Sequence, residues 1–222
     1  MNDDVCICIP TLNESKSIKY VIREFQNRGY KDILVIDGGS TDGTRELAKK
    51  SGAKVVRQTS GRKGSAMREA VDITMKEIIV FIDGDLTYDV SDIDNLIEPI
   101  KSDDTDHSLA CRFGNIEVGA MSKMHIFGNK IMNYIFYLLY NKYVYDLLTG
   151  FRAIRVDSFK ELNLESDGFD IETELTAKSV LNNHKISIIS SSYYKRKGKS
   201  ELRSFRDGFK ILKRMVRTRF NI

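Results

Sequence analysis

The run Ile78-Ile79-Val80-Phe81-Ile82-Asp83-Gly84-Asp85 decides the fold. Five consecutive apolar residues read as a buried strand, and two carboxylates follow it directly. Side chains two apart in extended chain share a face, so Asp83 and Asp85 point the same way. Gly84 between them permits close approach of a ligand. Two like charges that near repel unless a cation joins them, and oxygen donors suit Mg2+ or Mn2+. Taken alone the pair reads more readily as a solvated acidic turn. Its place at the carboxyl end of a parallel strand, where open α/β sheets bind ligands, favours the cation.

Outward from this strand the chain alternates. Val5-Cys6-Ile7-Cys8-Ile9 is an apolar run ended by Pro10, and Ile18, Val21, Ile22 and Phe25 recur at helical spacing. Ile33 to Ile36 is the next strand and is broken by the loop Asp37 to Thr44; Ala53 to Val56 is a third, and Ala66 to Lys76 reads as helix. Repeated strand–helix units predict an α/β fold, a mostly parallel sheet covered by helices on both faces. The second half is less regular. Strands are expected at Leu109 to Arg112, Phe151 to Arg155 and Ile186 to Ile189, and helices at Ile171 to Leu181 and Ser204 to Phe220. With no repeat, low-complexity tract or linker, residues 1–222 are expected to form one domain, ending in a basic amphipathic segment, 195–222.

Composition excludes several classes. Of 222 residues 41% are hydrophobic and 30% charged, a globular balance, and two prolines exclude a proline-rich scaffold. Three cysteines, with no targeting peptide in view, argue for a reducing, cytoplasmic setting. Cys6 and Cys8 are expected in the core, and His107, His125 and His184 have no metal spacing. The net charge of +4 is uneven: Lys195 to Arg219 holds eleven Lys/Arg against two acids, which points to an anionic partner. The longest uncharged stretch, Ile131 to Asn141, would extend roughly 16 Å as a helix, about half a hydrocarbon core, so membrane contact is expected from one side only.

Three further segments sharpen the chemistry. Pro10-Thr11-Leu12-Asn13-Glu14, Val35-Ile36-Asp37-Gly38-Gly39-Ser40-Thr41-Asp42-Gly43-Thr44 and Arg62-Lys63-Gly64, together with Asp83-Gly84-Asp85, resemble in order and spacing the inverting glycosyltransferases of family two. More loosely, Ala110-Cys111-Arg112, Leu148-Thr149-Gly150-Phe151-Arg152, Gly168-Phe169-Asp170-Ile171-Glu172 and Gly198-Lys199-Ser200-Glu201-Leu202 resemble the dolichyl-phosphate sugar synthases, particularly the archaeal ones. The resemblance implies a GT-A, Rossmann-like fold. It puts Pro10, Leu12, Glu14 and Asp37 around a nucleotide base, Lys63 and Gly64 beside the nucleotide, and Asp83, Gly84 and Asp85 at the metal–diphosphate, with Thr87 as a third metal ligand. It implies that Arg112 and Arg152 face donor or acceptor phosphates and act in catalysis with Asp85, and that Glu172 helps to align the acceptor. Two departures stand out. Gly38 occupies a position often filled by a second aspartate. Glu201 stands where lysine is frequent, leaving Lys199 or Arg203 to make that phosphate contact.

The reaction so implied is inverting, metal-dependent transfer of a hexose from UDP-hexose or GDP-mannose to polyprenyl (dolichyl) phosphate. Transfer to a sugar hydroxyl needs a general base, whereas a lipid phosphate is already anionic and needs only cationic positioning and a stabilised leaving group. Asp146, Asp170 and Glu172 are candidate acids for aligning the acceptor, Glu172 could act as such a base, and transfer to a hydroxyl of a glycan or glycolipid is the alternative. No nucleic-acid-binding pattern accompanies the basic tail. Phe205, Phe209, Leu212, Val216 and Phe220 form one apolar stripe flanked by basic residues, which predicts a helix lying on an anionic membrane at its cytoplasmic face.

Overall fold

The computed structural model describes residues 2–58, 62–196 and 204–221, with the side chains of 204 and 205 excepted. Seven strands form one sheet in the order β3-β2-β1-β4-β6-β5-β7. These are β1 Val5–Thr11, β2 Ile33–Asp37, β3 Lys54–Arg57, β4 Ile78–Phe81, β5 His107–Ile116, β6 Arg152–Arg155 and β7 Ile186–Tyr193. The first four are mutually parallel, as are β5 and β7. Only β6 runs the other way, paired antiparallel with β4 on one side and β5 on the other. The chain winds outward from β1 to β3 and then returns to place β4 on the opposite side of β1. The sheet therefore has its switch point between β1 and β4, where their carboxyl ends diverge.

Alternation along β1 sets the two faces. Val5, Ile7 and Ile9 enter one buried cluster with Ile18, Val21, Ile22 and Phe25 of helix α1 (Ile18–Asn27) and Ile93, Leu96, Ile97 and Ile100 of α4 (Ile93–Lys101). Cys6 and Cys8 face the other cluster, with α3 (Lys63–Ile73) and α7 (Ile171–Leu181). Burial pushes the Cys6 thiol up to about 12, so both cysteines serve as small apolar residues. Between these helices lie α2 (Thr44–Lys50), α5 (Lys123–Tyr140) and α6 (Val156–Glu161), and α8 (Ser204–Phe220) closes the chain. Helix α3 starts at Lys63 rather than Ala66 and stops at Ile73, because Arg62 and Thr74 are both extended.

The stripe expected to face a membrane is exposed at Phe209 and Phe220, and the surface helices bury other lines. The core-facing side of α8 is Ile211 and Met215, which pack with Phe136, Tyr140 and Leu147, while Phe209 is 69% exposed and Phe220 also faces outward. Arg214 points inward as well, to Asp170 at 3.1 Å, and so cannot meet lipid. Helix α5 buries only Asn133, Phe136 and Tyr140. Its opposite side carries Met124, Phe127, Ile131, Tyr134 and Leu138, alternately three and four residues apart and all exposed.

Candidate active site

Loops leaving β1, β2 and β4 meet at the switch point, and their polar side chains bond mainly to one another. Asn13 accepts from the Thr41 amide (3.0 Å), Thr44 Oγ1 accepts from the Glu14 amide (2.9 Å), and Asp42 accepts from the Ser15 amide (3.0 Å). This network explains why the first two motifs are rich in Asn, Asp, Ser and Thr: short side chains cap backbone N–H groups that neither strand nor helix can use. Beneath the loops lies a cavity of about 760 Å3, and Pro10, Leu12, Glu14, Lys63, Asp83 and Gly84 all line it.

Lys63 organises the floor. Its ammonium lies 2.6 Å from Asp83 Oδ1 and 2.7 Å from Glu172 Oε1, joining the start of α3 to the end of β4 and the start of α7. Burial alone would raise Asp83, but the Lys63 charge prevails and holds the carboxyl below its usual range. Asp85 is driven the other way, first by burial and then by the charge of Asp83. Thr87 donates to Asp85 Oδ1 from its amide (3.1 Å) and its hydroxyl (2.7 Å), so it orients that carboxylate. The remaining Asp85 oxygen is 3.3 Å from Arg196 Nε, and Arg196 also donates to Glu14. Two neighbouring carboxylates, one with its charge disfavoured, make an oxygen donor set that fits Mg2+ or Mn2+. Among the described residues no cluster of three His, Cys, Asp or Glu is arranged for a metal, so protein donors would be few.

Close backbone approach builds the walls. A Cβ on Gly64 would collide with the Ser166 carbonyl oxygen, and one on Gly150 would collide with Asp83 Oδ2 and stand 3.0 Å from Lys63 Nζ. Gly150 is held there by Tyr88, whose hydroxyl accepts from the Gly150 amide at 2.7 Å. The wall 164–170 is shaped by Glu174, which takes the amides of Glu165 (3.1 Å) and Ser166 (2.7 Å).

Several expected site residues lie elsewhere. Arg152 is 0% exposed and does not line the cavity. It donates to the carbonyls of Leu147, Thr149 and Glu172 and to Thr176 Oγ1, pinning the loop before β6 to the start of α7. Arg112 is likewise buried, giving Nε and Nη2 to Asp146 at 2.7 Å each, and it does not line the cavity. Asp37 is fully buried and accepts from the Gly39 (3.2 Å) and Ser40 (3.1 Å) amides, so its carboxylate shapes its own loop. Asp85, Thr87, Gly64 and Glu172 stand behind the cavity lining. Lys199 and Arg203 lie outside the described residues. Arg196 was not singled out by sequence. The one signal for it was its place in the basic run Lys195-Arg196-Lys197.

The Glycosyl transferase family 2 profile matches residues 6–163, which include β1, β4 and the acidic pair. The chain belongs to that family. This glycosyltransferase is 40% identical over 209 residues to glycosyltransferase AglJ of Haloferax volcanii, covering 93% of this chain and 69% of the relative. It is 27% identical over 219 residues to the dolichyl-phosphate hexose transferase of the same organism, covering 97% and 93% of the two chains. A UDP-N-acetylglucosamine–dolichyl-phosphate N-acetylglucosaminyltransferase of Methanococcus voltae is 27% identical, over 83% of this chain and 82% of that one. Among solved structures, glucosyl-3-phosphoglycerate synthase of Mycobacterium tuberculosis, in complex with Mn2+, UDP and phosphoglyceric acid, superposes with a TM-score of 0.77. The match covers 98% of this glycosyltransferase and 78% of the synthase at 20% identity, a likeness of fold.

Proposed function

We propose that the protein transfers a hexose from a sugar nucleotide to a polyprenyl phosphate, inverting the anomeric carbon, at the cytoplasmic face of a membrane. The observation that carries this reading is the state of the three acids that the sequence offers for the acceptor. Asp146 is held by Arg112, Asp170 by Arg214 and Glu172 by Lys63, so each of the three, Glu172 as the candidate base among them, is engaged by a cation. A hydroxyl acceptor needs such a base; a phosphate acceptor does not. One of its anionic oxygens forms the bond to the anomeric carbon as the bond from that carbon to the β-phosphate oxygen breaks. The nucleoside diphosphate leaves with the electron pair, and a single displacement inverts the centre.

In that step the chain's residues position and neutralise. Pro10, Leu12 and Glu14 form the wall for the base, and Lys63 sets the Asp83 charge. A Mg2+ or Mn2+ ion would be held by Asp83 and Asp85 and would stabilise the leaving diphosphate. The Mn2+ and UDP of the structural neighbour and the dolichyl-phosphate names of two relatives support this reading.

The lipid acceptor also needs an apolar surface. Among the described residues no helix is long and apolar enough to cross a membrane. The exposed row on α5, with Phe127 at 64%, offers such a surface beside Phe209 and Phe220 of α8, and residues 118–145 hold Lys123, Lys130 and Lys142 without one acid. The test is to incubate the protein with UDP- and GDP-sugars, with and without a short polyprenyl phosphate. Lipid-linked sugar of inverted configuration, lost in chelator, is expected. Preference for a neutral glycan acceptor would overturn the reading.

A further inference from the structure

The cavity extends from the donor loops to α8, whose Arg206, Asp207, Lys210 and Arg214 line it. Six cationic side chains line it: Arg62, Lys63, Arg196, Arg206, Lys210 and Arg214. Three are already neutralised. Lys63 is held by Asp83 and Glu172, Arg196 by Glu14 and Asp85, and Arg214 by Asp170 (3.1 Å), Glu165 and Glu174 (3.7 Å each). Arg62 caps α3 next to Lys63, at the nucleotide end. What remains is α8. Arg206 is exposed and pairs with no carboxylate among the described residues, and Lys210, 51% exposed, reaches Asp207 at only 3.8 Å. The acids across the cavity do not quench them, since Asp167 is taken by Arg68 at 2.6 Å and Asp170 by Arg214.

We propose that Arg206 and Lys210 form the subsite for the acceptor's phosphate, the role that Arg112 and Arg152 are too buried to fill. The inference rests on the polyprenyl-phosphate reading above. Residues four apart on a helix have Cβ atoms about 6 Å apart, so both cations can converge on one phosphate. Their place on the lining offsets the repulsion between an anionic nucleophile and an anionic donor. The same turn of α8 turns Phe209 outward, 69% exposed. Cations on the cavity side and an aromatic ring on the outer side suit an amphiphile whose head enters and whose tail stays out. A free diphosphate has no use for the ring.

The test uses the full chain with Mg2+ present and isothermal titration of farnesyl phosphate, farnesol and UDP separately. Arg206→Gln/Lys210→Gln is compared with Lys213→Gln, which changes an exposed cation outside the cavity lining. Losing two charge-assisted hydrogen bonds is expected to weaken farnesyl phosphate at least about tenfold. UDP affinity and the Lys213→Gln protein should stay within about twofold, and Arg206→Lys/Lys210→Arg should keep most of the binding. Unchanged binding in the double variant, equal loss in Lys213→Gln, or wild-type protein that fails to prefer farnesyl phosphate over farnesol overturns the subsite. Loss confined to UDP would assign α8 to the donor's diphosphate instead. A wild type that binds farnesyl phosphate through these residues but transfers no sugar to it leaves the subsite standing and removes the functional reading.

Discussion

Lys63 is 12% exposed and its charge is shared between two carboxylates that sit on different elements. Removing one member of a buried ion pair costs more than the pair itself contributes, because the partner's charge is left in poor solvent. Lys63→Met is expected to destabilise the protein by about 3 kcal/mol in denaturant unfolding. Adding Glu172→Gln should recover a large part of the loss, since one stranded charge is then gone; no recovery would mean that Lys63 acts through packing alone. Residues of this kind were unevenly legible. Asp83 and Asp85 could be read because their strand precedes them directly. Arg152 is buried under the loop before β6 instead, and nothing local records that two carbonyls of that loop and one at the start of α7 take its guanidinium. Arg196 finds Glu14 across 182 positions of sequence, and no spacing rule reaches that far.

At the scale of elements, periodicity found the helices and, in α8, an apolar stripe that the fold leaves largely outside. Phe209 and Phe220 of that stripe face outward, Leu212 and Val216 are half-buried, and the core takes the neighbouring line, Ile211 and Met215. The reason is α5: Tyr140 donates from its hydroxyl to the Met215 carbonyl (2.7 Å) and Arg219 donates to the Leu139 carbonyl (2.7 Å), which fixes the rotation of α8. A membrane then has two exposed apolar lines to meet, Phe209 and Phe220 on α8 and the row on α5. Phe127→Ser/Leu138→Ser is expected to lose about 3 kcal/mol, roughly a hundredfold in partitioning, in co-sedimentation with anionic vesicles. Lys213→Glu should cost less and its effect should fade at high salt. Arg214→Glu should lower the melting temperature instead, by setting a third charge against Asp170 and Glu174. Vesicle binding indifferent to the α5 pair would remove that helix as the anchor.

For the whole molecule, the parallel half was legible from its strand–helix rhythm and the second half less so, because its strands pair across long insertions. That half also holds a titration. His107 on β5 is buried, with Ser179 Oγ 3.3 Å from Nδ1. Burial, then Arg152, then His184 push it well below its ordinary value of 6.5. The unfolded chain binds the proton first, so this residue's stabilisation is full above pH 6.5 and is lost as pH falls below it. The melting temperature is expected to drop between about pH 6.5 and 5, and His107→Gln to drop less over the same window. Equal slopes would place the acid sensitivity elsewhere.

The reversed strand has a consequence of another kind. Within the sheet, β5 and β7 reach the parallel half only through the four residues of β6, Arg152–Arg155. Two reversals in a row restore direction, so β5 again runs the same way as β4 and its far end comes to the rim where the donor loops lie. A hinge-plate that narrow asks little of what is fastened to it. The flank bearing α5 and α8, whose apolar cluster is separate from the two around β1, can be reshaped by insertion or drift to suit one acceptor or another, while α7 stays fastened to the nucleotide end through Glu172 and Lys63.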